Sequence, residues 1–217
     1  MQHPHNHDKY VDPLKLIQNA GFTSAIIAGG AFRDLYHNIE PKDIDIFVWD
    51  PEFSDEQPEW QHTTAFTNDD DDTSIRCWRT ILELDPEDSI TLIYGEYSSF
   101  CARNTAVWDI WKSGINIQII FTKTKPVDHM HRYFDIGLCK CYHDGHKVHY
   151  TDDFMTDANN KLLTIVAPYM TREEYATTMH VHVPALRKKY PHHVLVATEP
   201  AQTTPLPIPT PPNTRLT

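Results

Sequence analysis

The segment IIAGGAFRDLYHNIEPKDIDIFV (residues 26–48) reads as strand, glycine bend, helix and second strand in that order. Ser24 to Ala28 is a continuous apolar run of strand length, Gly29-Gly30 ends it, and AFRDLYHN is helix-compatible. After Pro41, KDIDIFVW alternates Asp43 and Asp45 with Ile44, Ile46 and Val48, which predicts a half-buried strand with one acidic face. Gly29 and Gly30 lack Cβ atoms, so a bulky ligand can approach the backbone, and amides at a helix start favour phosphate. Arg33 lies one helical turn onward, either within reach of a phosphate oxygen or paired with Asp34 as a structural brace of the turn. Asp43 and Asp45 project to one side with Cα atoms roughly 6.6 Å apart. Two hard carboxylates at that spacing suit Mg²⁺ (or Mn²⁺) and leave room for triphosphate oxygens. The candidate set is therefore Asp43 and Asp45 as metal and catalytic residues, with Gly29, Gly30 and Arg33 for the nucleotide.

Working outward, Asp12-Pro13 through Gly21 predicts a short helix capped by Asp12. Residues 50–73 form an acidic stretch whose run Asp69 to Asp72 is expected to be a solvated surface, with Asp72 or Thr73 capping a helix that carries Ile75, Trp78, Ile81 and Leu82. TLIYGEY (91–97), AVWDIW and INIQIIF predict strands, the last two joined as a hairpin through Ser113-Gly114. A short helix follows Pro126, and GLCKCYH and KVHY predict a second hairpin through Asp144-Gly145, with Cys139 and Cys141 on one strand face. Thr171 with Glu174 predicts a capping box for a last helix whose face is Tyr175, Met179, Val183, Leu186 and Tyr190, kinked by Pro184. The chain divides into a flexible N-terminal arm (1–10), one α+β domain (11–198, with a small helical part over 151–195) and a Pro-rich tail (199–217).

A formal net charge of −11 repels phosphate backbones, so broad non-specific nucleic-acid binding is not expected. Arg187, Lys188 and Lys189 are the best local basic patch, although cations there also favour a helix C-terminus. Four cysteines without framework spacing, and no apolar run near the ~20 residues of a membrane helix, point to a soluble, thiol-reduced, cytoplasmic protein with no signal peptide and no membrane partner. Among the fourteen histidines, His3, His5 and His7 belong to the arm, His180 and His182 do not share a helical face, and His143, His146 and His149 flank the second hairpin, where they are candidates for an active-site rim.

The ordered set Gly29, Gly30, Arg33, Asp34, Asp43 and Asp45 resembles the GGxxRD…DxD signature of the polymerase-β-like nucleotidyltransferase superfamily, in the form found in CCA-adding and poly(A) polymerase heads. RNTAVWDIWKSGINIQIIF and RYFDIGLCKCYHDGHKVHY resemble, over residues 24 to about 190, uncharacterised viral and fungal nucleotidyltransferase-like proteins. These resemblances imply a nucleotidyltransferase-like mixed β-sheet flanked by helices, metal on Asp43 and Asp45, and attack of an acceptor hydroxyl on the α-phosphate of an NTP. The acceptor is open between RNA, protein and a small molecule, and the host cytoplasm is the expected place if the chain is viral. One departure stands out: the superfamily's third carboxylate falls on INIQIIF, which offers Asn116 and Gln118, and an amide cannot deprotonate a hydroxyl. The candidate substitute is Asp135, which otherwise reads as the cap of a turn, or Asp109 on the neighbouring strand. No base-reading element of a CCA-adding enzyme is visible after the head, so tRNA finishing is not expected. The alternatives are a catalytically weak or inactive binding module of the same fold, and a toxin or antitoxin component of a viral–host conflict system.

Overall fold

The computed structural model describes residues 8–49, 72–93, 104–166 and 170–197. At its centre is a seven-stranded sheet in the order β3-β4-β5-β2-β1-β6-β7. The strands are β1 (Ile26–Ala28), β2 (Asp43–Trp49), β3 (Ser89–Ile93), β4 (Asn104–Lys112), β5 (Ile115–Thr122), β6 (Cys141–His143) and β7 (Val148–Tyr150). Only β2 and β5 run parallel; the other pairings are antiparallel, so the sheet is mixed as expected.

Strand alternation sorts the side chains into two layers. Ile44, Ile46 and Val48 of β2, Ile117, Ile119 and Phe121 of β5, and Trp108 and Ile110 of β4 share the main core. Three helices cover that face: α1 (Asp8–Asn19) through Leu14 and Ile17, α2 (Gly30–Tyr36) through Phe32 and Leu35, and α3 (Asp72–Ile81) through Trp78. On the other face Ile26, Phe47, Val107 and Ile120 pack with Met130 of α4 (Pro126–Tyr133) in a smaller cluster. That cluster covers one part of the face, and the acidic positions of β2 lie beside it.

Both expected hairpins form, with Ser113, Gly114 and Gly145 at positive φ in their turns. The first helix begins at Asp8, a turn before the expected cap at Asp12, because Tyr10 and Val11 find buried places and Tyr10 reaches Glu40. Within GLCKCYH only Cys141–His143 is strand. Gly137–Cys139 is a 3₁₀ turn held by the buried Asp157, which accepts from the Leu138 amide at 2.9 Å, so Cys139 and Cys141 do not share a strand face. Cys77, Cys139 and Cys141 are free thiols. The expected strand over 91–97 is seen as β3 to Ile93; its remainder, the arm residues 1–7, most of the acidic stretch and the Pro-rich tail lie outside the described residues.

The C-terminal part packs on the same core rather than apart from it. Helix α5 (Asp152–Asn160), capped by Thr151, buries Phe154. After β8 (Leu162–Thr164), the Thr171/Glu174 capping box opens α6 (Arg172–Thr177), which runs through a π-turn (Thr178–His182) into α7 (Val183–Lys189). The π-turn ends two residues before Pro184, whose missing N–H a regular ladder would need, so the wider turn takes the place of the expected kink. Val183, Leu186 and Tyr190 are buried as the face predicted, and β9 (Val194–Val196) pairs with β8 in a small parallel sheet. Among the described residues no helix is long and apolar enough to cross a membrane.

Candidate active site

The alternation of β2 turns Asp43 and Asp45 to one side of the sheet, Asp43 exposed and Asp45 half-buried. Both line a cavity of about 440 Å³, together with Gly29, Gly30 and Arg33. Gly29 closes the corner: its φ of 85° and ψ of −118° are barred to side-chain-bearing residues. A Cβ there would stand 3.4 Å from the Phe134 ring and 3.9 Å from Asp45 Oδ2. The bare backbone thus lets the β1–α2 bend lie directly against the acids. Burial pushes the Asp45 carboxyl up to about 7, the Asp43 charge adds to the shift, and Arg33 opposes it.

Arg33 faces the cavity with its guanidinium already engaged. Nε donates to Asp34 Oδ1 at 2.8 Å and to Tyr190 Oη at 3.2 Å, and Nη1 donates to Cys139 Sγ at 3.2 Å. Asp34 in turn accepts from Tyr190 Oη at 2.5 Å and from Lys189 Nζ. This buried network ties α2 to the end of α7, and it turns Lys189 inward, leaving Arg187 and Lys188 on the surface. Arg33 and Asp34 are therefore placed as a brace behind the glycine bend.

The strand expected to supply a third acid lies where the sequence put it. In the parallel β2–β5 register Asp43 faces Asn116 and Asp45 faces Gln118. Asp109 stands opposite Gln118 on β4, two strands from Asp45 and so roughly 10 Å away by strand spacing. Its carboxylate accepts from Asn116 Nδ2 at 3.0 Å, holding the amides rather than joining the acid pair. Asn116 Oδ1 is buried with no partner among the described residues. Asp135 does line the cavity, and it is bound to the C-terminal helix: Thr178 Oγ1 donates to Oδ2 at 2.6 Å and His182 Nδ1 lies 2.5 Å from the same oxygen. Burial pushes the Asp135 carboxyl up, but His182 and Thr178 outweigh it and hold the group below its ordinary value.

In a regular helix His182 does not share a face with His180, so the sequence does not mark it as a site residue. The π-turn alters that geometry by bringing Thr178 and His182 to one acceptor, and Pro184 was the only local signal of it. The hairpin histidines do not reach the cavity. His143 Nδ1 accepts from the Gly145 amide at 2.9 Å, and His149 pairs with Asp144 at 2.5 Å while stacking on Tyr142. The rim expected from them is built instead by α4 and α6. Among the described residues no group of three or more His, Cys, Asp or Glu side chains is arranged to hold a metal, so Asp43 and Asp45 are a two-carboxylate ledge.

The backbone resembles solved nucleotidyltransferases. The Thermotoga maritima CCA-adding enzyme complexed with tRNA superposes with a TM-score of 0.57 at 13% identity, over 90% of this chain and 40% of that one. A tRNA-processing enzyme in an apo form gives 0.54 at 12% identity, over 90% and 45%. The Bacillus stearothermophilus CCA-adding enzyme in complex with CTP gives 0.53 at 12%, over 88% and 40%. The chain thus spans less than half the length of these structures, and at such identities the likeness establishes the nucleotidyltransferase-like fold. No curated protein matches the chain. The profile of the Gabija anti-defense 2 family matches residues 5–161, well over half of the sequence and the whole of the acid ledge and glycine bend, and the chain therefore belongs to the Gabija anti-defense 2 family.

Proposed function

We propose that this chain is a Mg²⁺-dependent nucleotidyltransferase that moves a nucleoside monophosphate from an NTP to an acceptor hydroxyl, and that this transfer serves counter-defence in the host cytoplasm. The observation that carries the proposal is the meeting of Asp43, Asp45 and the bare Gly29 bend at one cavity wall. The donor chemistry fits the ion: two hard carboxylates on one strand, with the unpartnered Asn116 Oδ1 beside Asp43 in register. Asp43 and Asp45 would hold Mg²⁺ (or Mn²⁺), whose chemistry is to neutralise charge on the reacting phosphates. Gly29 and Gly30 leave room for the phosphates beside the first turn of α2, and the apolar wall from Phe47, Ile120 and Phe134 limits water. Arg33 contributes positive potential while bracing the bend. Of the conflict-system roles, counter-defence is the one the family's description supports.

Calorimetry tests the reading. NTP should bind far better with Mg²⁺ than without, and Asp43→Ala with Asp45→Ala should remove that dependence; incubation with each labelled NTP and a cell extract should then label one class of macromolecule. A second reading, a binding module of this fold without transfer, is favoured by the amides at Asn116 and Gln118. It would show NTP binding indifferent to Mg²⁺ and no labelled product.

A further inference from the structure

The cavity has a second polar wall, facing the ledge from the C-terminal helix. His182 Nδ1 is paired with Asp135 Oδ2 at 2.5 Å, and Thr178 Oγ1 fixes the same oxygen at 2.6 Å. Asp135 is mostly buried while the His182 ring is half exposed, and both line the cavity that Asp43 and Asp45 line. The wall is tied to the ledge through a short path. Phe134, the residue before Asp135, abuts Gly29, and Gly29 abuts Asp45. With Nδ1 committed to the carboxylate, Nε2 has no partner among the described residues and is the nitrogen left for the cavity.

We propose that His182, oriented by Asp135 and Thr178, is the general base for the acceptor hydroxyl, in place of the carboxylate that Asn116 and Gln118 do not supply. This rests on the nucleotidyltransferase reading. Neutral His182 Nε2 takes the proton of the hydroxyl as its oxygen bonds to the α-phosphorus. The bond from the α-phosphorus to the bridging oxygen breaks, pyrophosphate leaves with that electron pair, and the proton ends on an imidazolium faced by Asp135. A base set against an orienting carboxylate needs no further group to stabilise its charged form. Its hydrogen bond to Asp135 raises the His182 proton affinity against the opposing effect of burial. The other ionisable groups around it are Glu174 on its own helix, His129, Arg132 and Tyr133 on α4, and the acid pair on β2. Arg33 and Cys139, which also border the cavity, are hydrogen-bonded to one another.

The test compares the full chain with His182→Asn and Asp135→Asn at one saturating Mg²⁺ concentration, so that the acid ledge is the same in all three. Transfer of labelled nucleotide to the acceptor in cell extract is followed from pH 5 to 9, beside NTP affinity by calorimetry. The His182→Asn chain should keep Mg²⁺-dependent NTP affinity, which also shows that it is folded, and lose about 10²–10⁴-fold in transfer rate together with the acid limb of the profile. Asp135→Asn should keep a limb and move it to lower pH. Transfer and profile unchanged in His182→Asn, or no movement of the limb in Asp135→Asn, would overturn the base and leave the nucleotidyltransferase reading standing. No transfer by the unaltered chain would overturn both.

Discussion

Asp45 stands beside Gln118 across the parallel β2–β5 pairing, and the Gln118 Nε2 amide leans 3.5 Å towards Asp109 on the next strand. The row therefore runs from acid to amide to acid, and the amide separates two negative charges instead of adding a third. Asp43 is the charge that acts on Asp45, and Arg33 is the one that relieves it.

Replacing Gln118 with Glu puts a carboxylate back between them. The ligand charge of the ledge rises, so divalent-cation affinity measured by calorimetry should tighten, by about tenfold or more for one added carboxylate. Without metal the same variant should unfold more easily at pH 8, because three acids then repel one another. Unchanged affinity would mean that the β5 row does not face the ion.

Asp45 gives the protein a pH signature. Its carboxyl titrates at about 7 in the folded chain against 3.8 for the unconstrained group. The folded state holds that proton more tightly, so the stability it confers is complete below about pH 4 and is lost as pH rises through 7. Asp45→Asn carries no such charge. It should melt higher than the parent at pH 8 without metal, by roughly 2–4 °C for each kcal/mol relieved, with the gap closing below pH 5. Added Mg²⁺ should raise the melting temperature of the parent and leave the variant unmoved.

The Arg33–Asp34–Tyr190 network separates bracing from binding. Tyr190→Phe removes the hydroxyl that donates to Asp34 and accepts from Arg33, and should cost about 1–3 kcal/mol in denaturant unfolding. Arg33→Met leaves Asp34 buried with less compensation and should cost about 3–5 kcal/mol. NTP affinity at low temperature should change little in Tyr190→Phe and fall only modestly in Arg33→Met. An Arg33→Met chain that is stable yet blind to NTP would instead make Arg33 a phosphate ligand.

The sequence made the ledge legible because strand alternation is local: once KDIDIFVW is a strand, Asp43 and Asp45 must share a side. The glycine bend was legible for the same reason, and so were the hairpins at Ser113-Gly114 and Asp144-Gly145, where turn chemistry is written in adjacent residues. What escaped was non-local. Nothing beside Cys139 announces that Asp157, far along the chain, pulls residues 137–139 into a 3₁₀ turn. Nothing beside Asp135 announces that a π-turn some forty residues later presents Thr178 and His182 to it. Tyr190 and Lys189 read as a core position and a helix-end cation, and their reach to Asp34 appears only when α7 docks on α2.

Two glycines distinguish a residue that shapes the site from one that shapes the fold. At Gly29 an alanine would meet a backbone conformation with φ of 85° and ψ of −118°, at a cost of about 1–3 kcal/mol, and its methyl would press on Phe134 beside Asp45. Relief comes from shifting the bend or the ring, and either moves the cavity wall against the acid pair. At Gly137 the backbone is unstrained, but a Cβ would lie 2.8 Å from Asp157 Oδ2, the acceptor for the amides of Leu138 and Thr164. Displacing Asp157 loosens the 3₁₀ turn, α5 and β8 without touching the ledge. Gly29→Ala should therefore weaken Mg²⁺-dependent NTP binding more than its loss of stability explains. Gly137→Ala should lower the unfolding midpoint by a comparable or larger amount and bind NTP as the parent does at low temperature. Equal binding losses at matched stability would show that the bend has no special relation to the nucleotide, and the placement of phosphate at Gly29 would have to be abandoned.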